Sequence, residues 1–190
     1  EKKKIPVTQL KSSVVEKAES KSEERYFRYA LPQWCQGLFG AKLDTQGLIQ
    51  TAKKLDVDLD LMPNSEWAAT NDAGVHLSCV LPEMGKGDDG KDFAPFVPGF
   101  NDPKHGDRVY AAISLALDRA AEAGVKFILV FTGMDTGEDR DLQFERIVEG
   151  YTKPRGDSGE SLKTKSERLK ITFVIEMLNT TGEEATWKGH

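Results

Sequence analysis

Glu176 is the residue whose type and surroundings point most directly to chemistry. It lies in the apolar segment FVIEML at positions 173–178. A carboxylate among apolar neighbours carries a large desolvation cost unless it is paired, protonated or bound to a metal ion. An ion pair with a Lys or Arg, or a position at the wet end of a strand, would be a purely structural explanation. The functional explanation is a general base or a ligand for Mg, Mn or Zn.

Other chemically capable residues give weaker signals. Trp34 follows an apolar segment and either packs in the core or forms the wall of a site for a small polar substrate. Three histidines and two cysteines are scattered along the chain (His76, His105, His190, Cys35, Cys79). Two cysteines exclude a disulfide framework or a zinc ribbon. We expect both to be buried thiols.

Several sequence motifs of common enzyme classes are absent. There is no G-x-x-x-x-G-K-[ST], no G-x-G-x-x-G leading from a strand into a helix, no H-E-x-x-H and no G-x-S-x-G. The pair Gly85 and Gly87 falls in a long loop and does not form a phosphate-binding turn. We therefore expect no nucleotide cofactor, and ATPase, dehydrogenase and serine hydrolase functions lose their support.

Composition excludes further classes. The chain has 190 residues, of which 38% are hydrophobic and 30% are charged, with a net charge of −5. This is enough apolar content for a core, and no stretch reaches the roughly 20 apolar residues of a membrane helix. Net negative charge argues against general nucleic-acid binding. We expect a globular protein with a small-molecule substrate, without nucleic acid or membrane partners.

The first 25 residues form a segment of different composition. Twelve of them are Lys, Arg or Glu, which is typical of a solvated tail or an exposed helix. We predict a charged, flexible leader at 1–25 and a folded domain at 26–190. The chain lacks an initiator Met and so is expected to be processed or trimmed. A cytoplasmic protein is our expectation, with an exported protein that has lost its signal segment as the alternative.

The elements that must position these residues alternate along the chain. Strand candidates lie at 26–35, 57–62, 75–81, 125–133 and 169–178, and the nearly continuous apolar run at 125–133 predicts a strand buried on both faces. Asp44 is the expected N-cap of an earlier helix. The clearest helix covers 107–123, with Gly124 as its C′ residue and an apolar stripe made of Val109, Ala112, Ile113, Ala116, Leu117 and Ala120. This alternation predicts an α/β fold with parallel strands and right-handed crossovers. A doubly wound open sheet fits. A (β/α)₈ TIM barrel also fits, but it needs about 250 residues, so the chain would hold about its first five βα units.

Function in both architectures gathers where the strands end at their carboxyl side. The residues at these positions include Trp34, Asn64, Glu83, Asp135 and Glu176. A long loop at 82–107, rich in Gly and Pro, follows the third strand candidate and could act as a lid over a bound substrate.

Four segments resemble hydroxypyruvate isomerase-like proteins of the xylose isomerase-like TIM-barrel superfamily. YALPQWCQG at 29–37 resembles their first strand, and KFILVFTGMD at 126–135 resembles their fourth strand. TFVIEMLNT at 172–180 is similar to their fifth strand, which has a Glu, an apolar pair and an Asn. WKGH at 187–190 looks like the start of the loop that follows. The resemblance covers about residues 26–190.

The resemblance implies a sugar phosphate isomerase/epimerase type of barrel in carbohydrate metabolism. Such enzymes move a proton alpha to the carbonyl of a small hydroxy-carbonyl compound, which is hydroxypyruvate-like or sugar-like. Many relatives use a divalent metal ion. By this resemblance Glu176 is a catalytic base and a metal ligand, and Trp34, Asn179 and His190 lie near the substrate.

The second glutamate and the remaining metal ligands of that family have no counterpart in the sequence. We therefore expect a fragment of a longer protein that lacks its C-terminal half. Pairing with another copy of the chain and a non-catalytic metabolite- or sugar-binding relative are the alternatives. A DNA-repair endonuclease is disfavoured by the scattered histidines and the net negative charge. A flavodoxin-like phosphate binder is disfavoured by the poor turn after the first strand.

Overall fold

The computed structural model describes residues 28–33, 43–156 and 159–176. Strands and helices alternate along these ranges. The strands are β1 (Ala30–Pro32), β2 (Asp58–Asp60), β3 (Phe127–Val130) and β4 (Thr172–Ile175). The helices are α1 (Thr45–Leu55), α2 (Trp67–Asp72), α3 (Gly106–Glu122), α4 (Arg140–Thr152) and α5 (Leu162–Leu169), with a short 3-10 helix (Asn64–Glu66) before α2.

All strand pairs are parallel. Ala30 of β1 lies opposite Asp58 of β2, and Phe127 of β3 lies opposite Thr172 of β4. The segment 76–80 connects the two pairs, because it bonds to β2 on one side and to β3 on the other.

This segment fixes the order of the strands. Leu77 pairs with Leu59 of β2, and Val80 pairs with Ile128 of β3. The spatial order is therefore β1, β2, 76–80, β3, β4, which is also the order along the chain. A doubly wound sheet reverses its strand order at a switch point. The strands that the structure describes show no such reversal, which leaves the barrel as the architecture that fits.

Local sequence explains where the helices begin and end. Asp44 caps α1, since its side-chain Oδ1 accepts a hydrogen bond from the Gly47 N–H at 2.8 Å. Ala112 of the predicted α3 stripe is half-buried, and the other members are buried, namely Val109, Ile113, Ala116, Leu117 and Ala120. Gly124, at φ +70°, ends this helix in the left-handed region, as the sequence predicts.

The two faces of the sheet differ in burial. Ile128 and Val130 of β3 are buried and belong to the core against the helices. Phe127, whose side chain alternates with theirs, is 44% exposed, and Val174 of β4 is 39% exposed. The prediction that β3 is buried on both faces is therefore wrong. A parallel sheet is covered on both faces only when a second layer or barrel closure packs against the inner one.

Asp58 ties the strands together at their amino-terminal ends. Its side chain is only 4% exposed, and Oδ1 accepts hydrogen bonds from Arg28 Nε at 2.8 Å and Nη2 at 2.7 Å. His76 Nδ1 lies 3.0 Å from Oδ2. Burial alone would raise the pKa of Asp58, but the hydrogen bonds and charges of Arg28 and His76 outweigh it and lower the pKa. Three neighbouring strands are therefore joined through one carboxylate.

The helices carry no membrane-spanning signal. Within residues 28–33, 43–156 and 159–176, every helix is too short or too polar to cross a bilayer.

Substitution of Asp58 by Asn should lower the free energy of unfolding by about 1–3 kcal/mol, because it removes charge-assisted hydrogen bonds. A carboxyl group whose folded-state pKa is lowered stabilises the protein above its unfolded pKa, about 3.9. That contribution disappears as the pH falls through the folded-state pKa. The difference between wild type and Asp58→Asn should therefore be constant at neutral pH and shrink below about pH 4.

Urea denaturation of the full-length protein between pH 3 and pH 7 measures this difference. The matched control is Asp88→Asn, since Asp88 lies exposed in a loop. An equal effect of the two substitutions would contradict a structural role for the Asp58 cluster.

Candidate functional site

The sequence indicates four site residues, and one of them falls in the part of the chain that the structure describes. Glu176 directly follows β4. Trp34, Asn179 and His190 lie outside the described residues, as does the leader at 1–25. Their roles remain predictions.

Glu176 continues the β4 ladder, and its backbone N–H donates to Val130 O at 3.2 Å. Its side chain is exposed. The predicted burial among apolar neighbours is therefore wrong, and Ile175 beside it is also 56% exposed. The physical reason is that β4 has no strand on its outer side among the described residues. What remains in favour of Glu176 is its position at the carboxyl end of a strand.

A cleft of about 460 Å³ opens at the carboxyl ends of β1, β2 and the segment 76–80. Its volume is within the range of small-molecule sites. Short segments that directly follow the three strands form its floor, and the long loop forms one wall. The lining residues are Gln33, Leu61, Met62, Pro63, Asn64, Leu81, Pro82, Glu83, Met84, Gly85, Asp92, Phe93 and Pro95.

Glu83 is the acidic side chain that follows the segment 76–80 in this cleft. Its Oε1 accepts a hydrogen bond from the backbone N–H of Asn64 at 3.2 Å, and this bond connects the ends of two neighbouring strands. The Asn64 side-chain Oδ1 is buried and has no hydrogen-bond partner in the structure. The sequence places both residues at strand ends but does not show that they meet.

The register brings Glu83 and Glu176 to the same edge of the sheet. Val80 lies opposite Ile128, and Val130 lies opposite Ile175. Glu83 follows Val80 by three residues on one side of β3, and Glu176 directly follows Ile175 on the other side. The carboxyl edge of the sheet therefore carries two carboxylates that flank one strand.

Asp60 lies lower in the sheet, as the last residue of β2. Burial raises the pKa of its carboxyl group, and Asp60 Oδ1 is buried without a hydrogen-bond partner among the described residues. Burial, followed by the charge of Asp60, raises the pKa of Cys79 to about 11. This thiol is a poor nucleophile at neutral pH. Cys79 is half-buried rather than buried as expected, and Cys35 lies outside the described residues. In the sequence, the alternation VDLDL at 57–61 indicates that Asp58 and Asp60 lie on one face of the strand.

Buried amide groups hold one end of the long loop. Asn101, fully buried, donates from Nδ2 to Met134 O at 2.6 Å and to Gln143 Oε1 at 3.2 Å. Gln143 donates from Nε2 to Asp135 Oδ1 and to Glu138 O, both at 2.9 Å. The loop is therefore joined to the residues that follow β3 and to α4.

Aromatic packing secures the same end of the loop. Phe100 is 4% exposed, and its ring meets that of Tyr151 edge-on at a centroid distance of 5.1 Å. A Cβ atom added at Gly150 of α4 would overlap the Phe100 ring. The end of the loop around Phe100 is therefore packed against α4.

The described residues do not complete a metal centre. No three His, Cys, Asp or Glu side chains among them come close enough together to hold an ion. Glu176 is the one predicted ligand within these ranges.

Comparison with known proteins identifies the fold. No family model matches the chain, and no curated protein matches it. Among solved structures, D-psicose 3-epimerase in the presence of D-fructose superposes with a TM-score of 0.53 and 15% identity, over 80% of this chain and 53% of that one. A xylose isomerase domain protein from Planctomyces limnophilus gives a TM-score of 0.50 and 15% identity, over 82% and 55%. The chain spans about half the length of these structures.

At 15% identity, the structural similarity establishes the fold and nothing further. Together with the strand order, the match shows that the chain has the α/β fold of a partial (β/α)₈ TIM barrel. This confirms the barrel prediction. Barrel enzymes place their active sites at the carboxyl ends of the strands, which is where the cleft, Glu83 and Glu176 lie.

Replacing Gly150 by Ala should destabilise the protein by about 1–3 kcal/mol, because the new methyl group overpacks against Phe100. The double variant Gly150→Ala/Phe100→Leu makes room for that methyl group and should recover part of the loss. Thermal or urea unfolding of the single and double variants gives the coupling. Strict additivity of the two substitutions would contradict the close packing of the loop against α4.

Proposed function

We propose that the protein is an isomerase- or epimerase-type barrel that moves a proton alpha to the carbonyl of a small hydroxy-carbonyl compound. The cleft at the carboxyl ends of the strands, with Glu176 at the same edge of the sheet, is the observation that carries this proposal. The names of the two structural neighbours, an epimerase for a sugar and a xylose isomerase domain protein, support the reaction class. A sugar phosphate or hydroxypyruvate as the substrate is part of this proposal, and only the sequence resemblance supports it.

Glu176 acts as the base in this proposal. Its carboxylate takes the proton from the carbon next to the carbonyl, and the C–H electron pair forms an enediolate. Return of this proton to the former carbonyl carbon, together with transfer of the hydroxyl proton to the former carbonyl oxygen, completes an isomerisation with one carboxylate base. Epimerisation requires delivery of a proton to the opposite face, and so requires a second acid. The exposed position of Glu176 leaves it accessible to a substrate above the strand ends.

A divalent metal ion is the cofactor that the proposal includes. Carboxylate oxygen is a suitable ligand for Mg, Mn or Zn, and Glu176 would supply one such oxygen. The described residues alone do not fit a metal site, because they bring no set of three donors together.

A non-catalytic metabolite- or sugar-binding protein on the same scaffold is the second candidate. The exposure of Glu176 favours this candidate. A hydrated carboxylate lacks the low-dielectric surroundings in which electrostatic interactions with a transition state are strong. This candidate predicts thermal stabilisation by a sugar without turnover and without a metal requirement.

In the full-length protein, Glu176→Gln should slow exchange of the substrate's alpha hydrogen with deuterated water by about 10²-fold or more. The fold should persist, since the side chain is exposed. Proton NMR in D₂O on a panel of ketoses and hydroxypyruvate measures the exchange directly.

The matched control is Glu145→Gln, which removes the same charge from an exposed position on α4. Equal exchange rates in wild type and Glu176→Gln would rule out the base. Sugar binding without exchange in wild type would favour the non-catalytic candidate.

A further inference from the structure

We propose that Glu83 is a specificity-determining residue that selects neutral polyhydroxy carbonyl compounds and disfavours carboxylate- or phosphate-bearing ones. This inference rests on the proposed function and narrows its substrate class to neutral compounds, so it sets aside the hydroxypyruvate and sugar phosphates that the sequence resemblance implies. It is carried by the charge of the cleft and by the hydrogen bond that holds Glu83 at its edge.

The ionisable side chains that line the cleft are all acidic. Glu83 and Asp92 contribute carboxylates, and no Lys, Arg or His is among the described lining residues. Sites for phosphate or carboxylate groups normally supply Arg, Lys or a set of free backbone N–H groups. An anionic substrate would meet repulsion here without a compensating cation.

Cations close to the cleft are engaged with other groups. Lys86 pairs with Asp92 across 3.3 Å at the solvent-exposed rim. Arg108 donates to Met84 O at 3.3 Å and to Lys86 O at 2.8 Å, and its guanidinium lies 5.0 Å from the centre of the Phe93 ring. Both cations bind groups of the loop that forms the wall. The carboxylate of Glu83 therefore sets the charge beside the strand ends.

Two backbone N–H groups at the start of the 3-10 helix beside the cleft are also engaged. The Asn64 N–H, at the start of the 3-10 helix, already donates to Glu83 Oε1. The Glu66 N–H donates to Pro63 O. A carboxylate of the protein itself therefore occupies the position at which a substrate anion would find a donor.

The same arrangement suits neutral hydroxyl groups. A carboxylate held by one N–H still has acceptor sites, and hydroxyl groups donate to it in strong charge-assisted hydrogen bonds. Apolar side chains of Met62, Phe93 and Pro95 line the cleft beside it and fit the C–H surface of a polyol. The geometry therefore favours a neutral sugar-like ligand with its hydroxyl groups toward Glu83.

Calorimetric titration of the full-length protein with D-fructose and with D-fructose 6-phosphate tests the inference, because the two probes differ by one phosphate. Wild type should bind the neutral sugar at least about tenfold more tightly, the size expected for a dianion near a fixed carboxylate at high dielectric. Glu83→Gln keeps the hydrogen-bonding shape without the charge and should reduce this ratio about tenfold. Hydroxypyruvate serves as a second anionic probe.

Two further variants control the result. Glu145→Gln changes the net charge equally but lies on α4 outside the cleft, and it should leave the ratio unchanged. Glu83→Asp keeps the charge on a shorter side chain and should retain the discrimination against anions. Higher ionic strength should weaken the discrimination in wild type.

Tighter binding of the phosphorylated sugar by wild type, or an unchanged ratio in Glu83→Gln, would overturn the inference. The readout is binding, so it is independent of the deuterium exchange that tests Glu176. Selective binding without exchange would leave Glu83 as proposed and remove the catalytic function. Binding of none of the probes would overturn both proposals.

Discussion

Parallel hydrogen bonding of the segment 76–80 to strands on both sides is the constraint on which the rest of the structure depends. The four residues that form the two bridges are all buried, and they are Leu59, Leu77, Val80 and Ile128. Without this segment the sheet would separate into two unconnected pairs of strands. With it, the four strands and the segment 76–80 run in one direction, and all their carboxyl ends lie at one edge of the sheet. The cleft and both exposed glutamates exist at that edge because of this register.

The two edges of the sheet treat carboxylates in opposite ways. At the amino-terminal edge, Asp58 is buried and bonded by Arg28 and His76. At the carboxyl edge, Glu83 has one backbone donor and Glu176 is exposed. Fully satisfied groups rigidify a structure, whereas partly satisfied groups can still bind a ligand. This contrast agrees with the division between stability and function at the two ends of parallel barrel strands.

Sequence patterns predicted the elements that depend on local interactions. The α3 stripe and the Asp44 cap follow from helical periodicity and from one side-chain hydrogen bond, and both are confirmed. The inferred burial of Glu176 failed, because burial depends on what covers a strand and not on its neighbours in sequence. An apolar run around a carboxylate indicates a strand with apolar side chains on both faces. It does not show that both faces are buried, and the described sheet is covered on one face only.

Contacts between distant segments lay beyond what periodicity can predict. The bond between Glu83 and Asn64 joins residues 19 positions apart, and the amide pair of Asn101 and Gln143 joins residues 42 apart. The sequence predicts that Glu83 and Asn64 lie at strand ends. Only the structure shows that the backbone N–H of Asn64 donates to the carboxylate of Glu83. That single bond decides the character of the site. It takes up a backbone donor that could hold an anion and presents a fixed negative charge to whatever enters the cleft. The chemistry of the edge therefore follows from strand register rather than from any motif in the sequence.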